Sequence, residues 1–217
     1  STVLGPWLAM VPRWDDLSAE QQVTEARKME LYAAMVANID FHVGRLVEHL
    51  EQAGKLDNTL IIFFSDNGAN GAQMDMYPGT AEEWVARNSA NRFSNWGRRG
   101  SRVAQGPGWA QASSTPFRLF KAFIAEGGIR SPLIISGPPL ARSGETLDAV
   151  AHVMDIAPTF LAIAGTSYPS SNEKGDLVPP RDRSMLPLLA AQAASIREQD
   201  DYLAWGLFDW QAVSQAA

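Results

Sequence analysis

The chain of 217 residues contains no cysteine, which removes disulfides, zinc–thiolate sites and thiol nucleophiles together and leaves the redox compartment open. Histidine is scarce: His42, His49 and His152 are the only three, and apart from the i,i+7 relation of the first two they have no metal-ligand spacing. No apolar run approaches the ~18 residues a membrane helix needs; the densest stretches are residues 60–64 and 133–135. Nor is there a cationic excess. Eighteen Lys and Arg stand against 24 Asp and Glu, a net charge of −6, so no global field gathers nucleic acid. Neither nucleic acid nor membrane is an expected partner, and any chemistry rests on His, Asp, Glu, Asn and Lys.

What is present suits a packed core: 46% of residues are hydrophobic and 19% charged, a balance unlike that of disordered chains. The length allows one large domain or two small ones. The opening Ser1-Thr2-Val3-Leu4-Gly5-Pro6 has neither an initiator Met nor a basic-then-apolar leader, so the chain reads as a fragment.

Ser18 and Gln21 have capping-box spacing. From there Tyr32, Val36, Ile39, Val43, Leu46 and Leu50 recur at steps of three and four, which predicts a long amphipathic helix ending near Gly54. Residues 59–64 are continuously apolar and predict a strand buried on both faces. A second buried strand is expected at residues 132–136 after a tight turn at Glu126-Gly127-Gly128. Asp155 reads as the N-cap of a helix closed by Gly165. Residues 69–116 show little periodicity beyond a short helix near 81–87, and so long an irregular stretch is expected to line a cleft. A polar loop is expected over 166–183, and a strand cut off in progress near 204–210. Helix, short loop and buried strand together predict an α/β fold.

Asp66-Asn67-Gly68 follows the first strand at the carboxyl edge, where open α/β sheets place ligands. A carboxylate and an amide carbonyl side by side are hard oxygen donors suited to calcium or magnesium, with Gly68 expected to supply an unusual backbone angle. The same tripeptide is also ordinary turn chemistry. Lys121 follows an apolar-aromatic segment; its ammonium is either a point charge for an anionic substrate or a snorkelling surface lysine. Arg87, Arg92, Arg98, Arg99 and Arg102 make the 85–105 stretch locally basic. They either steer a small anion or are solvated loop arginines. His42 and His49 read as packing or surface residues, His152 as structural, and Asp40 as a hydrogen-bonded structural carboxylate.

Three segments taken together resemble the C-terminal half of a type I sulfatase, of the bacterial arylsulfatase branch of the alkaline-phosphatase-like superfamily. They are residues 60–68 ending in Ser65-Asp66-Asn67-Gly68, residues 115–132 with Thr115-Pro116-Phe117-Arg118-Leu119-Phe120-Lys121 and Glu126-Gly127-Gly128, and Met154-Asp155-Ile156-Ala157-Pro158-Thr159. The helix carrying Asn38-Ile39-Asp40 and Gly44-Arg45-Leu46 is similar to the family helix before that strand. The resemblance covers about residues 11–210.

The resemblance implies a mixed, largely parallel sheet flanked by helices, present as a fragment. Residues 1–200 would be the C-terminal part of the α/β domain with the cleft-lining loop 69–116, and 201–217 the start of a truncated C-terminal subdomain. Asp66 and Asn67 match the second half of a calcium site of four residues, and Lys121 matches the lysine that contacts the sulfate of a small sulfate ester. The implied nucleophile is a formylglycine hydrate whose precursor, with the remaining metal ligands, is expected upstream of Ser1, so the N-terminal half is needed to complete the site. Related two-zinc phosphatases end this strand with Asp-His; Asn67 presents oxygen instead and favours a single hard cation. A phosphonate or phosphate monoester hydrolase and a non-catalytic half-domain acting as a binding module are the alternatives.

Overall fold

The structure is a computed structural model that describes residues 11–73, 82–178 and 182–215. The expected cut at Ser1 to Pro6 and the first residue of the expected 81–87 helix lie outside the described residues. The chain divides into two compact units: one of residues 1–50 and 67–132, the other of residues 51–66 and 133–217.

The first unit is organised on helix α1 (Ala19–Gln52). Its start is the expected capping box: the Gln21 amide N–H donates to Ser18 Oγ at 3.2 Å and the Ser18 N–H to Gln21 Oε1 at 2.8 Å, so two orphan donors are satisfied reciprocally. Gly54 ends it with φ +63°, its N–H reaching Glu51 O at 2.9 Å. The apolar stripe is present, yet no residue of α1 is buried, and Val36, Ile39 and Leu46 are each about half exposed.

The expected irregular stretch contains more structure than its sequence announces. Helix α2 (Glu82–Asn88) is followed by a single 3-10 turn at Phe93–Asn95 and by helix α3 (Gly106–Ser113). Helix α3 is unexpected because Gly, Pro and Gly open it, but Pro107 occupies a first-turn position where its missing N–H costs nothing. The Trp109 indole N–H donates to Glu25 O at 2.8 Å and pins α3 to α1. The expected turn at Glu126 is one turn of helix, α4 (Glu126–Ile129).

The second unit contains strands β1 (Ile61–Phe64) and β2 (Leu133–Ser136), paired antiparallel with Ile61 opposite Ser136 and Phe64 opposite Leu133. The mixed α/β class stands, but every ladder among the described residues is antiparallel, where the resemblance implies a largely parallel sheet. Burial also falls short, since Phe63, Phe64 and Ile134 are exposed. After β2 come helix α5 (Ile156–Ile163), the short strands β3 (Ser171–Asn172) and β4 (Gly175–Asp176), helix α6 (Leu186–Leu189), and a hairpin of β5 (Tyr202–Leu207) and β6 (Trp210–Gln215). The expected strand at 204–210 is thus a complete two-stranded hairpin. Met185, Leu188, Leu189 and Ile196 form the core, with Ile135, Leu140 and Ile156 packed on it.

Asp155 does not cap α5 with its side chain. Its Oδ2 accepts the His152 N–H at 2.7 Å, while His152 Nδ1 accepts the Met154 N–H at 3.2 Å. The structural reading of His152 holds, but the capping role belongs to the 3-10 turn Val153–Asp155. No described helix is long and apolar enough to cross a membrane.

Candidate functional site

One residue, Ser65, separates the end of β1 from Asp66-Asn67-Gly68. Asp66 is exposed and Asn67 half-buried. Gly68 is not one of the glycines with positive φ; it is required for close approach instead. A Cβ there would lie 2.8 Å from the Gly127 carbonyl carbon and closer still to its oxygen, and the Gly68 N–H donates to Gly128 O at 2.9 Å. Gly127 and Gly128 are themselves buried, and a Cβ on either would collide with backbone carbonyls of Leu119 or Phe123.

The same packing fixes the segment carrying Lys121, whose N–H donates to Ala69 O at 2.9 Å. Two residues after Asn67, the strand-end loop is therefore bonded directly to the lysine's backbone. Leu119 (φ 64°) and Ala122 (φ 77°) flank the Phe120-Lys121 pair in the left-handed region, a conformation that costs L-residues on the order of 1–3 kcal/mol and persists only where the surroundings impose it. Those surroundings are identifiable. Gln111 Oε1 accepts the Leu119 N–H at 2.8 Å and Gln111 Nε2 donates to Phe117 O at 3.0 Å. Phe120 is buried, its ring against Gly71, where a Cβ would sit 2.7 Å from Cδ2. Lys121 is exposed on a loop whose backbone is held, a placement compatible with both readings of it. The role of Gln111 has no signal in the sequence.

Oxygen donors at Asp66 and Asn67 match the chemistry of a hard divalent cation. Among the described residues no group of three or more His, Cys, Asp and Glu side chains is arranged to hold a metal ion, so this pair fits as part of a coordination shell and not as a whole one. His42 and His49 are exposed on α1, His42 Nδ1 lying 3.2 Å from Arg45 Nη1. Asp40 is exposed as well. Arg87, Arg92, Arg98, Arg99 and Arg102 are all exposed; Arg87 pairs with Glu83 at 2.7 Å, and the Arg102 guanidinium lies 4.9 Å from the Trp84 ring centroid.

A Ser-x-Pro-x-Arg string, the serine form of a formylglycine signature, does occur once, at Ser114-Thr115-Pro116-Phe117-Arg118. Its context does not present a nucleophile. Ser114 closes α3, is 8% exposed, and directs its hydroxyl to Gly127 O at 3.4 Å. The expectation that no such string occurs in this chain is thereby corrected, and the burial of Ser114 is what argues against its acting as a nucleophile.

The sulfatase family model matches residues 10–166, and the chain belongs to the sulfatase family. It is 39% identical over 201 residues to an uncharacterized sulfatase of Schizosaccharomyces pombe, covering 92% of this chain and 36% of that protein. It is 38% identical over 195 residues to an arylsulfatase of Klebsiella aerogenes, covering 89% of this chain and 42% of that protein. A solved structure of a protein in complex with its substrate D-glucosamine-2-N,6-O-disulfate shares the fold, with a TM-score of 0.51 and 21% identity over 94% of this chain and 38% of that one. The chain thus spans well under half the length of the curated relatives it matches.

Proposed function

We propose that this chain is the C-terminal part of a sulfuric ester hydrolase acting on aryl or alkyl sulfate monoesters. Residues 1–200 belong to its α/β domain, and 201–217 open a smaller C-terminal subdomain. Family membership and the arylsulfatase relative support the reaction class. The observation that carries the site is the Lys121 N–H bonded to Ala69 O beside Asn67, between two left-handed residues.

In this reading Asp66 and Asn67 present two oxygens to a calcium ion, magnesium being the second choice, and Lys121 holds its ammonium against the sulfate. A calcium bound there would supply Lewis-acid polarisation and charge neutralisation at the sulfuryl oxygens. A preorganised ammonium adds to that stabilisation because its backbone needs no rearrangement during the reaction. The formylglycine nucleophile and the other metal ligands come from the N-terminal part, which also covers apolar surface left open on α1, β1 and β2.

The test uses the full-length protein, assayed on p-nitrophenyl sulfate, p-nitrophenyl phosphate and a phenylphosphonate monoester. Preference for the sulfate, lost in Asn67→Ala and Lys121→Ala, is the expected result. Preference for either phosphorus ester, or full activity in both variants, overturns the reading.

A further inference from the structure

Between Phe117 and Lys121 the backbone belongs to no helix or strand, and its polar groups are held one at a time. The Gly127 N–H donates to Arg118 O and the Lys121 N–H to Ala69 O, each at 2.9 Å. Phe117 O and the Leu119 N–H are met by a single side chain: Gln111 donates to the first from Nε2 at 3.0 Å and accepts the second at Oε1 at 2.8 Å.

Gln111 is half-buried near the end of α3, six and eight residues before the groups it bonds. A primary amide carries an acceptor and a donor on one planar tip, so both bonds form from one rotamer. A carboxylate would lose the donor, and an aliphatic chain would lose both. Without them Leu119 loses the tether on its N–H while its φ stays at 64°, a left-handed conformation that an L-residue keeps only where its surroundings impose it. That residue stands two positions before Lys121, whose four-carbon stem is flexible and is therefore aimed by the backbone that carries it.

Helix α3 is itself fixed. Trp109 bonds it to Glu25 O of α1, and Gln105, immediately before the helix, donates from Nε2 to Asn70 O at 3.0 Å. All these residues belong to the first unit. The helix thus holds both segments that meet at the bond between Ala69 O and the Lys121 N–H: Gln105 holds the loop three residues after Asn67, and Gln111 holds the chain two residues before the lysine.

We propose that Gln111 is a positioning residue for Lys121: it touches no substrate and acts by fixing the backbone from which the ammonium reaches an anionic ester. This rests on the sulfuric ester reading above and deepens it.

Two measurements on the full-length protein separate the proposal from that reading. The first is a double-mutant cycle on p-nitrophenyl sulfate with Gln111→Met, Lys121→Ala and the double variant. Gln111→Met lowers kcat/KM by roughly tenfold to 10²-fold, the scale of a misplacement of about 1 Å, and the loss divides between kcat and KM as that of Lys121→Ala does. In the Lys121→Ala background the same substitution costs less than about twofold, because the group it places is gone. Gln111→Ala, which admits water to the freed backbone groups, repeats the pattern where Met disturbs folding. An unchanged kcat/KM, or an equal loss in both backgrounds, overturns the proposal. The second is hydrogen exchange, which needs no turnover: in Gln111→Met the peptide over residues 117–123 exchanges at least about tenfold faster while α1 is unchanged. Unchanged exchange there also overturns it. Full activity in Lys121→Ala defeats the functional reading, while exchange still decides whether Gln111 fixes this backbone.

Discussion

Arg197 grips Asp155 with both terminal nitrogens, Nη1 at 2.7 Å from Oδ2 and Nη2 at 2.8 Å from Oδ1, in a place where the carboxylate side chain is fully buried and the arginine side chain 5% exposed. The same carboxylate accepts the His152 N–H, and Arg197 Nη1 also donates to Val150 O at 3.1 Å. One ion pair thereby ties the turn before α5 to the segment after α6.

Removing one partner of such a pair leaves a buried charge without compensation, which costs about 3–5 kcal/mol. Arg197→Met is therefore expected to lower the denaturant midpoint of the chain severely. Arg183 also bridges, to Glu198 at 3.4 Å and Asp201 at 3.0 Å, but those side chains are solvated, and exposed pairs are worth about 0–1 kcal/mol. Equal midpoints for Arg197→Met and Arg183→Met would show that the buried pair is not what holds this region.

The Asp155 site shows where sequence reading stops. Asp before Ile-Ala-Pro has the local signature of an N-cap, and nothing local reveals that an arginine 42 positions later will claim its side chain. Local rules succeeded where the interaction is local: Ser18 with Gln21, Gly54 after α1, Gly165 (φ 65°) after α5. They failed where a distant segment decides. Gly68 is needed for its closeness to Gly127 and not for its φ, and Gln111 props the loop before Lys121. At the candidate site, the tripeptide after β1 and Lys121 were legible as residue types and family spacing. The left-handed residues and the glycine packing that hold those segments together were not.

Glycine packing at the site yields a paired test. A Cβ at Gly68 meets backbone, which cannot swing aside as a side chain can, so Gly68→Ala is expected to destabilise by about 1–3 kcal/mol through overpacking. Gly44, inside α1, has nothing within 4 Å of its would-be Cβ, and Gly44→Ala is expected to stabilise by about 0.5–1 kcal/mol. Calorimetric unfolding of both variants reads the difference; a neutral Gly68→Ala would mean that the two loops are not packed as described.

Lys121 and Ser114 lie in one segment and are assigned opposite roles. In the full-length protein, Lys121→Ala is expected to lower kcat/KM on an aryl sulfate by about 10²–10³, the usual cost of losing one preorganised charge-stabilising donor, with little change in unfolding temperature because the side chain is exposed. Ser114→Ala is expected to cost about 1 kcal/mol of stability, since its hydroxyl is buried on Gly127 O, and to leave turnover in place. Loss of turnover in Ser114→Ala with the fold intact would transfer the nucleophile to this chain.

The choice of Asn67 over an imidazole predicts the metal. Amide and carboxylate oxygens favour calcium, whereas a histidine nitrogen shifts preference toward zinc. With two donors of its own, the 217-residue chain is expected to bind calcium no more tightly than about 10⁻⁴ M, the weak end of the protein range, because water keeps the remaining positions. Titration calorimetry that finds submicromolar calcium affinity in this chain refutes the shared-shell reading. In the full-length protein, chelation abolishes turnover and calcium restores it. Asn67→His is then expected to respond less to calcium and more to zinc, because the substitution changes the donor atom while leaving Asp66 in place. A variant that keeps the calcium response of the native protein would place the ion elsewhere.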